Sequence, residues 1–174
     1  ISAYSLVLTD GELIGTGSDS YDYKWTTGIR IGYQSTISGG TVTGTGGNVY
    51  VGDSGYNSIQ SVGVEFVALN MSAGTVTGNA GAVDKPQNNY SIGVNITDSS
   101  TVSGTAKING TGLTAGVNCI NETITVSGDA AITGTGKTGI DLKYLSMPAE
   151  ENNAVDTGIS NASENGTGIY LIGK

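Results

Sequence analysis

Few side chains in this 174-residue chain could carry out chemistry. It has no His, so the commonest general base and metal ligand is missing. Its single Cys, Cys119, excludes an internal disulfide and a Cys-based zinc site, and with no His to activate it the thiol reads as a small core hydrophobe. Arg30 is the sole Arg. A base at Arg30 would need a carboxylate cluster on its own face. The equivalent outward positions are Glu65, Asn95, Asn118 and Asp141, and of these only Glu65 is an immediate acidic neighbour. Asp19-Ser20-Tyr21-Asp22 lacks the ligand spacing of a calcium loop, and Gly15-Thr16-Gly17 and its copies, with neither the following Lys nor the helix of a phosphate loop, read as turn glycines. No catalytic residue, metal or cofactor is expected. The chemistry that remains is non-covalent. Tyr21, Tyr23, Trp25, Tyr50, Tyr56 and Tyr90 hold the only Trp and five of the nine Tyr, all within the first 90 residues. Such side chains give a flat apolar face and a hydrogen-bonding tip at little entropic cost, as binding surfaces require, and their rings also stack on sugar faces.

The elements that position these aromatics are written in glycine. Gly, Thr, Ser and Asn make up nearly half the chain, with only 2 Pro and no Gly-X-Y period, which excludes collagen and disfavours helices. Hydrophobic residues at 37% exceed what a disordered linker carries, leaving an all-β chain with many tight turns. A net charge of −8 with no basic cluster excludes a phosphate-backbone partner, so no nucleic acid is expected. No apolar stretch reaches the length of a membrane span, so no membrane insertion of this segment is expected either.

Two boxes recur. The first, apolar-x-Gly-Thr/Asn-Gly/Ala, runs Leu13–Gly17, Val42–Gly46, Val76–Ala80, Ile108–Gly112 and Ile132–Gly136. An apolar residue precedes each by five or six positions: Leu8, Ile37, Met71, Val102 and Val126. The second, Gly-Ile/Val-x-apolar, begins at Gly28, Gly63, Gly93, Gly116, Gly139 and Gly168. Turn pairs such as Asp10-Gly11, Gly39-Gly40, Ser103-Gly104 and Ser127-Gly128 lie between. Strand alternation turns Ile29 and Ile31 inward and Arg30 outward. Stacked repeats then build one ladder of Ile29, Val64, Val94, Val117, Ile140 and Ile169, and a second of Ile31, Phe66, Ile96, Cys119, Leu142 and Leu171. One repeat cannot bury these residues alone, but a stack can. The expected fold is an all-β, right-handed parallel β-helix of about six coils, with residues 1–174 as a single segment.

Second-box glycines follow at spacings of 35, 30, 23, 23 and 29, so the shortest is the bare coil and the excess is insertion. Insert loops are expected at 18–27, 47–62 and 81–92, at one corner of the first three coils; they carry all six aromatics, with Asp19, Asp22, Lys24, Asp53, Asp84, Lys85 and Asn89 as polar groups. The extra length around Met147–Asn153 falls at another corner. The aromatics either form a binding surface or fold back over the solenoid flank and pack only on one another. Seven Asn-x-Ser/Thr sequons, at Asn70, Asn89, Asn95, Asn109, Asn121, Asn161 and Asn165, state acceptor potential only.

The repeated Gly-Thr-Gly-Ile/Val phrases, with Ile37–Gly44 and Val126–Ile132, resemble the central repeats of filamentous-haemagglutinin-like exoproteins exported by two-partner secretion, a group that includes adhesins and contact-dependent growth inhibition toxins. Autotransporter passenger repeats are similar. The resemblance covers nearly the whole chain, implies no catalytic residue, and does not extend to the aromatic inserts. It implies a secreted or bacterial cell-surface location, an outer-membrane transporter for export, and a segment cut from a longer exoprotein, in keeping with the mid-pattern start at Ile1-Ser2-Ala3. The expected function is recognition of a cell-surface receptor (an outer-membrane protein, lipopolysaccharide or host glycan) through the aromatic inserts. A pure spacer is the alternative, and a polysaccharide-processing enzyme or a phage tail-spike segment stands behind it.

Overall fold

The computed structural model describes residues 1–21, 25–50, 59–84, 89–146, 158–162 and 169–171. Among them there is no helix, and every strand pairing is parallel. All but two short strands join into one long sheet that nearly closes on itself, compatible with a β-solenoid.

Register follows the boxes. Ile29 pairs with Val64, Val64 with Val94, Val94 with Val117, Val117 with Ile140 and Ile140 with Ile169. Ile31, Phe66 and Ile96 form a neighbouring column, and Cys119 pairs with Leu142 and Leu142 with Leu171. Leu8, Ile37, Met71, Val102 and Val126 also align, and the first boxes align from Leu13 through Val42, Val76 and Ile108 to Ile132. From Ile29 onward the second-box columns are fully buried through Ile140 and Leu142, and they form one continuous apolar core. Each such side chain contributes about 1.5–3 kcal/mol by leaving water.

Glycine does two separate jobs. At one corner Gly11, Gly40, Gly74, Gly104 and Gly128 all have positive φ, between 59° and 88°, where a Cβ would be strained. On the flat walls the box glycines face one another across the interior. A methyl on Gly15 would sit 2.5 Å from the Gly28 carbonyl oxygen, and one on Gly44, Gly78, Gly110 or Gly134 would overlap the carbonyl of Gly63, Gly93, Gly116 or Gly139. The two walls meet backbone to backbone there, and no side chain fits between them.

Cys119 is fully buried, its thiol donating to the Glu122 carbonyl oxygen at 3.7 Å. Burial pushes the thiol up to about 11. At pH about 8 only about one thiol in a thousand is ionised, and that one is shielded. A disulfide-exchange reagent should therefore label Cys119 only after denaturation. Stoichiometric labelling of the native protein within minutes would show that the ladder is open at this row.

Candidate functional site

The residues entering and leaving the insert windows are tied by a buried hydroxyl column. Thr26, Ser61 and Ser91 are in register. Each donates to the carbonyl where its own insert begins: Thr26 to Ser18 at 2.8 Å, Ser61 to Gly47 at 2.8 Å and Ser91 to Gly81 at 2.9 Å. Each then accepts a backbone N–H from the next row, Gly47 at 3.0 Å, Gly81 at 2.8 Å and Leu113 at 3.0 Å. These polar groups are buried and satisfied, so the necks of the inserts are fixed rather than loose. Strands begin at Thr26, Gln60 and Tyr90, so the last residues of the windows 18–27, 47–62 and 81–92 belong to the walls, Tyr90 included.

Beside this column, described residues of the windows form a small second sheet. Ser20 pairs with Val49 and Tyr21 with Tyr50, and Val49 bridges to Val83. Val49, Ile59 and Val83 form a second apolar cluster. Asp19 accepts from the Asn48 N–H at 2.7 Å, Asn48 from the Ala82 N–H at 2.9 Å, and Asn89 from the Ile59 N–H at 3.0 Å. Asp19 and Asn89, expected as polar groups for a ligand, thus strap neighbouring inserts together.

The aromatics divide into two groups. Tyr21 and Tyr50 stack with centroids 4.9 Å apart and planes 17° apart, although the rings are 69% and 40% exposed as residues. Neighbours of this kind contribute about 0.5–1.5 kcal/mol beyond area burial, and here they do so while facing solvent. Trp25 and Tyr90 are 61% and 44% exposed. The pairing of Thr26 with Ser61 and of Gln60 with Tyr90 sets Trp25, Gln60 and Tyr90 at one position in successive rows. These four aromatics are exposed rather than a buried cover, while Tyr21 and Tyr50 do pack on one another as the covering alternative also expects. Tyr23 and Tyr56 lie outside the described residues, as do Asp22, Lys24, Asp53 and Lys85.

Trp25 and Tyr90 border a groove of about 420 Å³ whose floor includes Glu65, Asn95, Asn118 and Asp141. These are the outward second-box positions, in register with Arg30 in the row before Glu65. Arg30 Nε lies 3.4 Å from Glu65 Oε1, and Asn118 Nδ2 donates to Asn95 Oδ1 at 2.7 Å. Asp141 keeps one carboxylate oxygen buried without a hydrogen-bond partner, and burial raises its pKa from the ordinary 3.8. A larger hollow of about 570 Å³ lies beside Ala82, Leu113 and Lys137, where the short repeats follow the long ones, but apart from Lys137 it is mostly lined by small and apolar residues. The sequence reading weighed the floor column only as a catalytic face and missed the groove. It also missed the Tyr4–Tyr33 stack, with centroids 5.1 Å apart. Aligning Leu6-Val7-Leu8 with Ser35-Thr36-Ile37 reveals that pair, because the same offset sets Tyr4 against Tyr33.

A consequence follows for pH. The folded chain holds the Asp141 proton more tightly than the unfolded chain does. The contribution of Asp141 to stability is therefore greatest at acid pH and declines as pH rises above 3.8 through the raised folded value. Asp141→Asn should remove that decline, so its melting temperature relative to the parent should rise between pH about 4 and about 7. A difference that stays constant across that range would mean Asp141 is solvated like a surface carboxylate.

No protein-family model, curated protein or solved structure matches the chain.

Proposed function

We propose that this chain is a non-catalytic recognition segment of a secreted bacterial exoprotein of the filamentous-haemagglutinin-like kind, an adhesin or the receptor-binding region of a contact-dependent inhibition toxin. On this reading the parallel sheet is a right-handed β-helix of about six coils, and its insertions project from one corner of the first three. The inserts engage a surface protein or glycan on a target cell. The observation that carries the reading is the exposed Tyr21–Tyr50 stack on adjacent inserts, held on a small sheet with its own apolar cluster. A pure spacer accounts for the glycine and aliphatic columns. It gives no reason to order solvent-facing aromatic rings on inserts strapped together by Asp19, Asn48 and Asn89.

A non-catalytic role is supported by Arg30 standing beside Glu65 in an ion pair and by the burial of Cys119. The test is binding of the fluorescently labelled chain to bacterial and host cells, then to cells lacking defined surface proteins or lipopolysaccharide. Saturable binding that disappears with one component supports recognition. Absence of saturable binding to every cell type leaves the spacer.

A further inference from the structure

The groove between Trp25 and Tyr90 combines features that suit one class of ligand. Two exposed aromatic side chains border it, and its floor carries the carboxylates and amides of Glu65, Asn95, Asn118 and Asp141 in register across four successive rows. Those rows are spaced by about 4.8 Å, close to the size of one sugar ring. A volume of about 420 Å³ lies within the range of small-ligand sites. Carboxylates accept hydrogen bonds from vicinal hydroxyls, amides both donate and accept, and an aromatic face covers the apolar C–H face of a pyranose. The ionisable groups that line the groove are acidic and Arg30 is paired with Glu65, so among the described residues of the groove an anionic ligand meets carboxylates rather than a balancing cation. Glu65 and Asn95 are only 14% and 8% exposed, which places the floor's polar groups where water competes least.

We infer that this groove is a binding site for a neutral hexose oligosaccharide, stacked on Trp25 and Tyr90 and hydrogen-bonded to the Glu65–Asp141 column. Asp141 fits this role independently. Its buried, unpartnered carboxylate oxygen is an acceptor that a sugar hydroxyl could satisfy. The inference rests on the recognition reading and narrows it to a ligand class.

The sole Trp makes the test direct, since Trp25 borders the groove and its emission reports occupancy. The whole chain is titrated with neutral hexaoses of glucose, mannose and galactose, and in parallel with oligogalacturonate and sialyllactose. At least one neutral hexaose should shift Trp25 emission saturably, while the anionic sugars do not. Asp141→Asn and Asn118→Asp, both shape-conserving, should each weaken that binding roughly tenfold. Lys107→Ala, exposed and outside the groove lining, should leave it unchanged. Calorimetry on Asp141→Asn and Asn118→Asp supplies a second readout should their emission differ at rest. Lack of saturable response to every neutral sugar, equal response to the anionic ones, or unchanged affinity in both floor variants would overturn the inference. The recognition reading fails separately, by absence of saturable binding to every cell type, whereas cell binding lost in Trp25→Ala/Tyr50→Ala but kept in the floor variants means that the inserts recognise a receptor and the groove does not hold its sugar.

Discussion

Val94→Asp should abolish cooperative folding or lower the melting temperature by more than about 10 °C. Val94 is fully buried, with Val64 and Val117 in register on either side, so an aspartate there meets aliphatic groups above and below. A buried carboxylate without a partner costs several kcal/mol, and losses above about 4 kcal/mol are expected only from defects of this kind. A small domain's whole stability is about 5–15 kcal/mol. Each row also contacts only its neighbours, so a defect in the middle of the stack weakens both sides. Ile96→Asp should behave the same way. Thr101→Asp, at an exposed position between buried Ser100 and Val102, should change stability by no more than about 0.5 kcal/mol. Circular-dichroism melts of the three variants decide the point. Parent-like melting of Val94→Asp would mean its side chain does not point inward.

Gly110→Ala should cost about 3 kcal/mol, although it adds a single methyl. The ideal Cβ would overlap the carbonyl of Gly116 on the facing wall, and backbone atoms cannot swing aside as a flexible side chain can. For a chain of this size the loss corresponds to a melting temperature lower by roughly 6–12 °C. Gly32→Ala is the matched control: the nearest atom to its Cβ is the Ala3 carbonyl oxygen at 3.8 Å and its φ is not positive. That variant should melt within a few degrees of the parent. Equal melting of the two would show that the walls are farther apart than the glycine columns require.

The ladders were legible because one physical rule generates them. A residue such as Met71 or Val126 sits a near-fixed distance before a glycine box, and strand alternation then decides its face. The glycines were legible as turns at Gly11, Gly40, Gly104 and Gly128, but Gly15, Gly44, Gly78, Gly110 and Gly134, expected as turns too, lie inside strands at points where the walls touch. Nothing local in Gly44-Thr45-Gly46 says that a carbonyl from a distant box lies against it. The insert boundaries blurred for a related reason. Thr26, Ser61 and Ser91 have loop-like composition, yet they are interior groups whose hydroxyls hold the necks. The aromatics could be picked out by type, but their division into a Tyr21–Tyr50 stack and a Trp25–Tyr90 groove depends on the path of the inserts, which no repeat encodes. The outward column from Glu65 to Asp141 was visible as a row, and its meaning changed only when aromatics were found beside it.

Cell binding by a Trp25→Ala/Tyr50→Ala double variant tests the central claim, that the exposed aromatics are the recognition surface. Both side chains lie outside the main core, so the variant should keep the parent's circular-dichroism spectrum and lose little stability. Anchoring aromatics at a binding surface cost on the order of 2 kcal/mol each when truncated, so affinity for the target cell should fall at least roughly 30-fold. Lys107→Ala/Asp129→Ala, exposed and away from the inserts, should bind like the parent. Equal binding by both double variants, with both normally folded, would contradict the account and leave the chain a spacer.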